Sequence, residues 1–210
     1  MAEESNGSRK HPIDYLTITI LVVQAFIMFF QYDQQQSIVD IERKKNAVTM
    51  MNDFYKDIDP NGKSCIKFIA HTVSADEYST LRKNKEFFKS RYGLGDETRA
   101  FLEKCDEDST PDNINWVTIY KRAEKALNRY RSVFLAGHTG IADREIIKNY
   151  FQVLNPAKKS DPTLIVECGL FQGQEADNET LLFFKLGKEN CANILDDADL
   201  KIKGSNKPKP

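Results

Sequence analysis

Few side chains in this sequence stand where chemistry could begin. Cys65 and His71 can be drawn as nucleophile and base, but six residues do not align two side chains on one helix face. The other histidines are His11, beside a long apolar segment, and His138, inside the turn-like "GHTG". No P-loop, nucleophile elbow, H-E-x-x-H or dinucleotide fingerprint occurs. The bare G-x-G of "YGLGDET" follows a helical pattern, where glycine serves as a C-cap. The four cysteines, Cys65, Cys105, Cys168 and Cys191, include no C-x-x-C pair, which argues against a structural metal. They allow three disulfide pairings, yet in a domain of this size the expectation is four reduced, buried thiols in a reducing compartment. No catalytic residue, cofactor or metal is assigned.

Two clusters of cations remain. Lys121, Lys125 and Arg129 recur every four residues and share one helix face, beside Arg122. One reading is a contact with phosphate, anionic lipid or RNA. Glu124 interrupts the stripe, so a solvated outer face is the expectation. Arg43, Lys44 and Lys45 follow the apolar segment and suit an anionic leaflet, at about 1 kcal/mol each. A formal charge of −1 over 210 residues gives no strong nucleic-acid signal.

The elements that position these groups start with "YLTITILVVQAFIMFFQY", Tyr15 to Tyr32, which carries no charged side chain. As a helix it is about 27 Å long, close to the ~30 Å hydrocarbon core, with a tyrosine at each end for the interfaces. A soluble core helix would interleave charges, and the bulky "FFQYDQQQS" offers no cleavage site. The segment therefore reads as an uncleaved signal-anchor, a transmembrane helix over 14–33. Arg9 and Lys10 precede it and Arg43, Lys44 and Lys45 follow, a one-residue bias that puts the large domain in the cytoplasm. Thr17, Gln24 and Gln31 repeat at seven, a coiled-coil spacing that allows homo-oligomeric association within the span. The sequons at Asn6 and Asn178 carry no weight alone.

Beyond the span the chain reads as mainly α. Residues 1–13 are expected to be disordered. An amphipathic stalk helix covers 34–59, its apolar face carrying Ile41, Val48, Met51, Tyr55 and Ile58. "DPNG" ends it, and an irregular helical domain fills 60–195. The runs 64–73 and 163–171 are ambiguous between strand and helix. Ser74 and Glu77 form a capping box for a helix reaching about Tyr92, and "DETRAFLEKC" is a shorter helix. The longest helix of the domain spans about Ile114 to Ala136, with Val117, Tyr120, Ala123, Leu127, Tyr130 and Phe134 on its apolar face. "GHTG" breaks it, "IADREIIKNYFQVL" resumes as helix, and "NETLLFFKLG" is capped by Asn178 or Asp177. The tail, 196–210, is polar enough to be disordered.

The segment from Ala126 to Phe151 resembles the signature region of a bacterial family of unknown function. Leu127-Asn128, Tyr130, the turn Gly137 to Gly140, Asp143 and Tyr150-Phe151 carry the likeness, while Arg129-Tyr130-Arg131 departs from it. The resemblance implies one N-terminal transmembrane helix, a linker helix and a helical domain, and no assigned reaction. Together these readings lead to a single-pass membrane protein presenting an interaction or regulatory module to the cytoplasm. Its partners would be membrane lipid and a protein of unstated identity. The alternative is a membrane-tethered enzyme or binder for nucleotides or RNA, acting through the basic helix face.

Overall fold

The computed structural model of the chain describes residues 12–88, 94–152, 154, 161–171 and 178–205. Every regular element among them is a helix; the nearest approach to a sheet is one isolated bridge, Thr110 with Asn113. The runs at 64–73 and 163–171 resolve as helix. In order come α1 (Pro12–Asp57), α2 (Pro60–Thr72), α3 (Tyr78–Lys83), a 3-10 turn (Lys85–Phe87), α4 (Asp96–Cys105) and α5 (Trp116–His138). Then follow α6 (Arg144–Tyr150), α7 (Pro162–Leu170), α8 (Glu179–Phe184) and α9 (Lys188–Ser205). Two compact units divide at Glu42 and Arg43, inside α1.

The first unit, which ends at Glu42, contains the apolar part of α1. Each residue from Tyr15 to Tyr32 is exposed, and the helix is long and apolar enough to cross a membrane. The Thr19 hydroxyl donates to the Tyr15 carbonyl at 2.8 Å, returning a polar group to its own helix.

The second unit begins earlier than the expected boundary at 60, because the last turns of α1 belong to its core. Ala47, Met51 and Phe54 are buried there on one helix face, and Ile58, just past the end of the helix, is buried as well. Of the expected face, Met51 and Ile58 are buried, whereas Ile41, Val48 and Tyr55 are exposed. Counting large aliphatic residues hid the small Ala47, which permits close approach, and passed over Phe54. The Arg43 carbonyl accepts the Asp143 amide at 3.0 Å, and Asn46 donates to the Ile141 carbonyl at 3.1 Å.

Helix α2 packs against α4, α5, α7 and α9. Asp59 caps it through the Asn61 amide at 3.0 Å, with Pro60 at the first helical position, where a missing N–H costs nothing. Gly62 lets α2 meet α5 closely; a Cβ there would lie 2.9 Å from the Ala126 Cβ and 3.0 Å from the Arg122 carbonyl. Helix α5 buries Ile119, Ala123, Ala126, Leu127, Tyr130, Val133 and Phe134. An aromatic seam joins three helices: Phe54 lies 4.9 Å from Tyr130 and 5.1 Å from Phe151, and Phe134 lies 4.8 Å from Phe183, centroid to centroid.

Gly140, at φ 77°, closes the turn after α5. Asp143 then caps α6 through the Ile146 amide, as its charge favours. The Ser74–Glu77 box forms only in part. The Ser74 amide donates to Glu77 at 3.1 Å, but residues 75–77 make a turn and α3 ends at Lys83, well short of Tyr92. A larger correction concerns the tail. Helix α9 runs to Ser205 and buries Ile194, Leu195, Ala198 and Ile202, an apolar stripe diluted by intervening charges. Residues 206–210 lie outside the described residues, as do His11 and the N-terminal 1–11.

The cysteines also depart from expectation. Cys65 is joined to Cys105, tying α2 to α4, and Cys168 to Cys191, tying α7 to α9. Spacing along the chain did not reveal these pairs, because each bridges helices that are neighbours only after folding.

Candidate functional site

Cys65 holds no nucleophile, since its sulfur is committed to Cys105. His71 stacks edge-on against Phe101, 5.3 Å between centroids, and burial lowers its pKa from the ordinary histidine value. Among the described residues no group of three His, Cys, Asp or Glu side chains converges as a metal site. The chemistry of this domain has to be sought in its charged surfaces.

The solvent side of α5 holds a candidate, a shallow and open one. Lys121, Lys125 and Arg129 line a cleft of about 530 Å3, joined by Lys85 from the 3-10 turn. Tyr120 forms part of its wall, and the Lys85 ammonium sits 4.3 Å from the centre of that ring. Burial and the nearby Glu124 push the Tyr120 phenol up to about 12. Arg129 also approaches Asp57 at 3.6 Å, a half-exposed pair of little strength.

Glu124, which interrupts the stripe in sequence, lines the same cleft and is partly buried. Its Oε1 accepts from Arg131 at 2.8 Å, and Arg131 also donates to the Asn128 side-chain oxygen at 2.8 Å. Behind the cleft, Arg131 reaches the fully buried Glu167, with Nε at 2.9 Å from Oε1 and NH2 at 2.8 Å from Oε2. Asn178 donates to Glu167 at 2.7 Å and Thr180 at 3.3 Å. The Asn178 side-chain oxygen meanwhile caps α8 by accepting the Leu181 amide. Burial lifts the Glu167 carboxyl, while Arg131 and Asn178 oppose that rise by holding the carboxylate form. Phe171 covers the guanidinium at 5.1 Å from ring centre to Cζ.

The sequence offered one clue to this network, a lone acid in the apolar run "LIVECGLF". Nothing in the spacing pointed to Arg131 as its partner, or to Lys85 as a wall of the cleft. The remaining expected sites contribute no residue to the lining of the cleft. Thr17, Gln24 and Gln31 lie exposed on α1. Arg43, Lys44 and Lys45 are also exposed, and the Arg43 guanidinium lies over the Gly140 turn.

No family model matches this chain, and no curated protein or solved structure is similar to it. Its own residues therefore carry the functional argument.

Proposed function

We propose that this chain is a single-pass membrane protein displaying a disulfide-bonded helical domain as a non-enzymatic interaction or regulatory module. The observation that carries the reading is the exposure of Tyr15 to Tyr32: eighteen residues without a charge, none covered by the rest of the chain. In water such a surface would drive aggregation, whereas in a bilayer it is the expected solvent-facing surface of a spanning helix. The helix continues without a break to Asp57, and its last turns help to build the domain core, which favours retention of the segment over its removal.

The orientation we propose reverses the charge-count expectation. A one-residue excess of cations is a weak determinant, and large domains translocate regardless of such margins. Two disulfides that use all four cysteines support an oxidising surrounding for the domain, outside the cytoplasm. The short N-terminal segment would then be cytoplasmic, with Arg9 and Lys10 beside the membrane on the side that favours cations.

Two measurements on the full chain test this reading. Alkaline carbonate extraction should leave the protein in the membrane pellet, and recovery in the supernatant would refute the anchor. Acid-quenched cells treated with a mass-tagged maleimide should show no tagged chain before reduction and four tags after it. Four tags before reduction would place the domain in the cytoplasm.

A further inference from the structure

We propose that the cleft on α5 binds a linear oxyanion chain, a polymer carrying sulfate or phosphate groups at close intervals. The proposal deepens the interaction-module reading by naming a ligand class for it. Its first support is charge. Lys85, Lys121, Lys125 and Arg129 bring four cations to one cleft on a chain whose formal net charge is −1. Among the described residues no acid forms an ion pair with Lys121 or Lys125. Glu124 also lines the cleft and shares Arg131 with Glu167, so it offsets one of the four cations and leaves the lining with a net positive charge.

The second support is shape. Successive cations four residues apart on a helix are about 6 Å apart, and the row of three spans about 12 Å. Such a row suits several anionic groups in series better than one isolated phosphate. Lys85, held over the Tyr120 ring from a separate element, adds a cation from outside the α5 row. The Asn128 side chain presents its oxygen to Arg131, which leaves the amide NH2 as a donor for an oxyanion.

Binding through this cleft should show the salt dependence of counterion release. With four contacts and the slope of a single-stranded polyanion, affinity should fall roughly fiftyfold between 50 and 200 mM salt. The experiment uses the full chain in nanodiscs of uncharged lipid, titrated separately with a sulfated oligosaccharide and with a short inorganic polyphosphate. The two titrations tell which oxyanion is preferred. K121E/K125E should weaken binding at least tenfold, and K104E/K188E, which alters exposed lysines elsewhere with the same change in net charge, should leave it within twofold.

Equal weakening by both double variants would overturn the proposal, because net charge alone would then explain the binding. Failure of the unaltered chain to bind either probe at 50 mM salt would also overturn it. So would binding to anionic vesicles alone, which would make the stripe a membrane-facing surface. Thermal melts of both variants establish that they fold. The thiol and extraction assays report on anchoring and orientation independently of the binding result.

Discussion

Arg131 grips Glu167 with two nitrogens on two oxygens, Nε at 2.9 Å and NH2 at 2.8 Å, and the carboxylate has no access to solvent. A bidentate geometry of this kind is the strong form of the arginine–carboxylate pair. It holds α5 against α7, and through Asn178 and Thr180 it also fixes the start of α8. Replacing Arg131 by Met keeps much of the volume but strands a buried charge. The expected loss is about 3–5 kcal/mol. Urea unfolding of the full chain in detergent measures it, and a loss below about 1 kcal/mol would show that the pair is dispensable.

The disulfides should contribute by restricting the unfolded chain. Separations of 40 and 23 residues correspond to about 4 and about 3 kcal/mol in the loop-entropy account. C65S/C105S should therefore destabilise at least as much as C168S/C191S. Urea melts of the two double variants, each with the other bridge intact, provide the comparison.

Gly169 faces the Tyr78 ring so closely that a Cβ would overlap it, and that tyrosine is fully buried. Gly169→Ala gains helix propensity of roughly 1 kcal/mol and loses more through overpacking, about 1–3 kcal/mol before that gain. A lower melting temperature is expected, whereas a rise would mean that the ring moves freely.

Alkaline titration should be resisted by the interior phenols. Tyr120 and Tyr130 are pushed up to about 12, chiefly by burial, and Tyr78 is raised as well. A folded-state pKa above the unfolded value of about 10 gives stability that is complete below pH 10. That contribution is lost as pH rises through 12. Ultraviolet difference titration should show these phenolates forming late, and the melting temperature should decline over the same window. Phenylalanine at position 130 should remove its share of the decline.

The sequon at Asn178 should stay unmodified even if the domain passes through a glycosylating compartment. Asn178 and Thr180 are both fully buried, and the Asn178 amide nitrogen that would carry sugar donates to Glu167. Peptide mass spectrometry of the mature chain should find Asn178 unmodified; a glycan there would contradict the packing of α8.

Helical class, the apolar segment and the cap at Asn178 could be read from the chain because each is a local signal. Periodicity and capping act over three or four residues. What the sequence concealed depends on contacts between distant segments. The disulfide partners are 40 and 23 residues apart, and Glu167 meets an arginine 36 positions earlier. The α1 face was misjudged because the outline of the neighbouring helices, as much as residue size, determines which turn is covered. Ala47 is buried for that reason, while the larger Val48 is exposed. Glu124 does interrupt the basic stripe, but its bond to Arg131, seven positions on, is visible only in the fold.

The placement of the two bridges also governs how the chain comes apart when cut. A single protease nick between Cys65 and Cys105 falls inside the loop which that pair closes, and one between Cys168 and Cys191 falls inside the other. In either case the two pieces remain one covalent molecule and migrate together on a gel until a reductant is added. A nick between Cys105 and Cys168 lies outside both loops and separates the fragments of the denatured chain at once. Any clipped form of this protein would thus disclose, by its response to reduction, whether the cut fell inside a bridged loop or outside both.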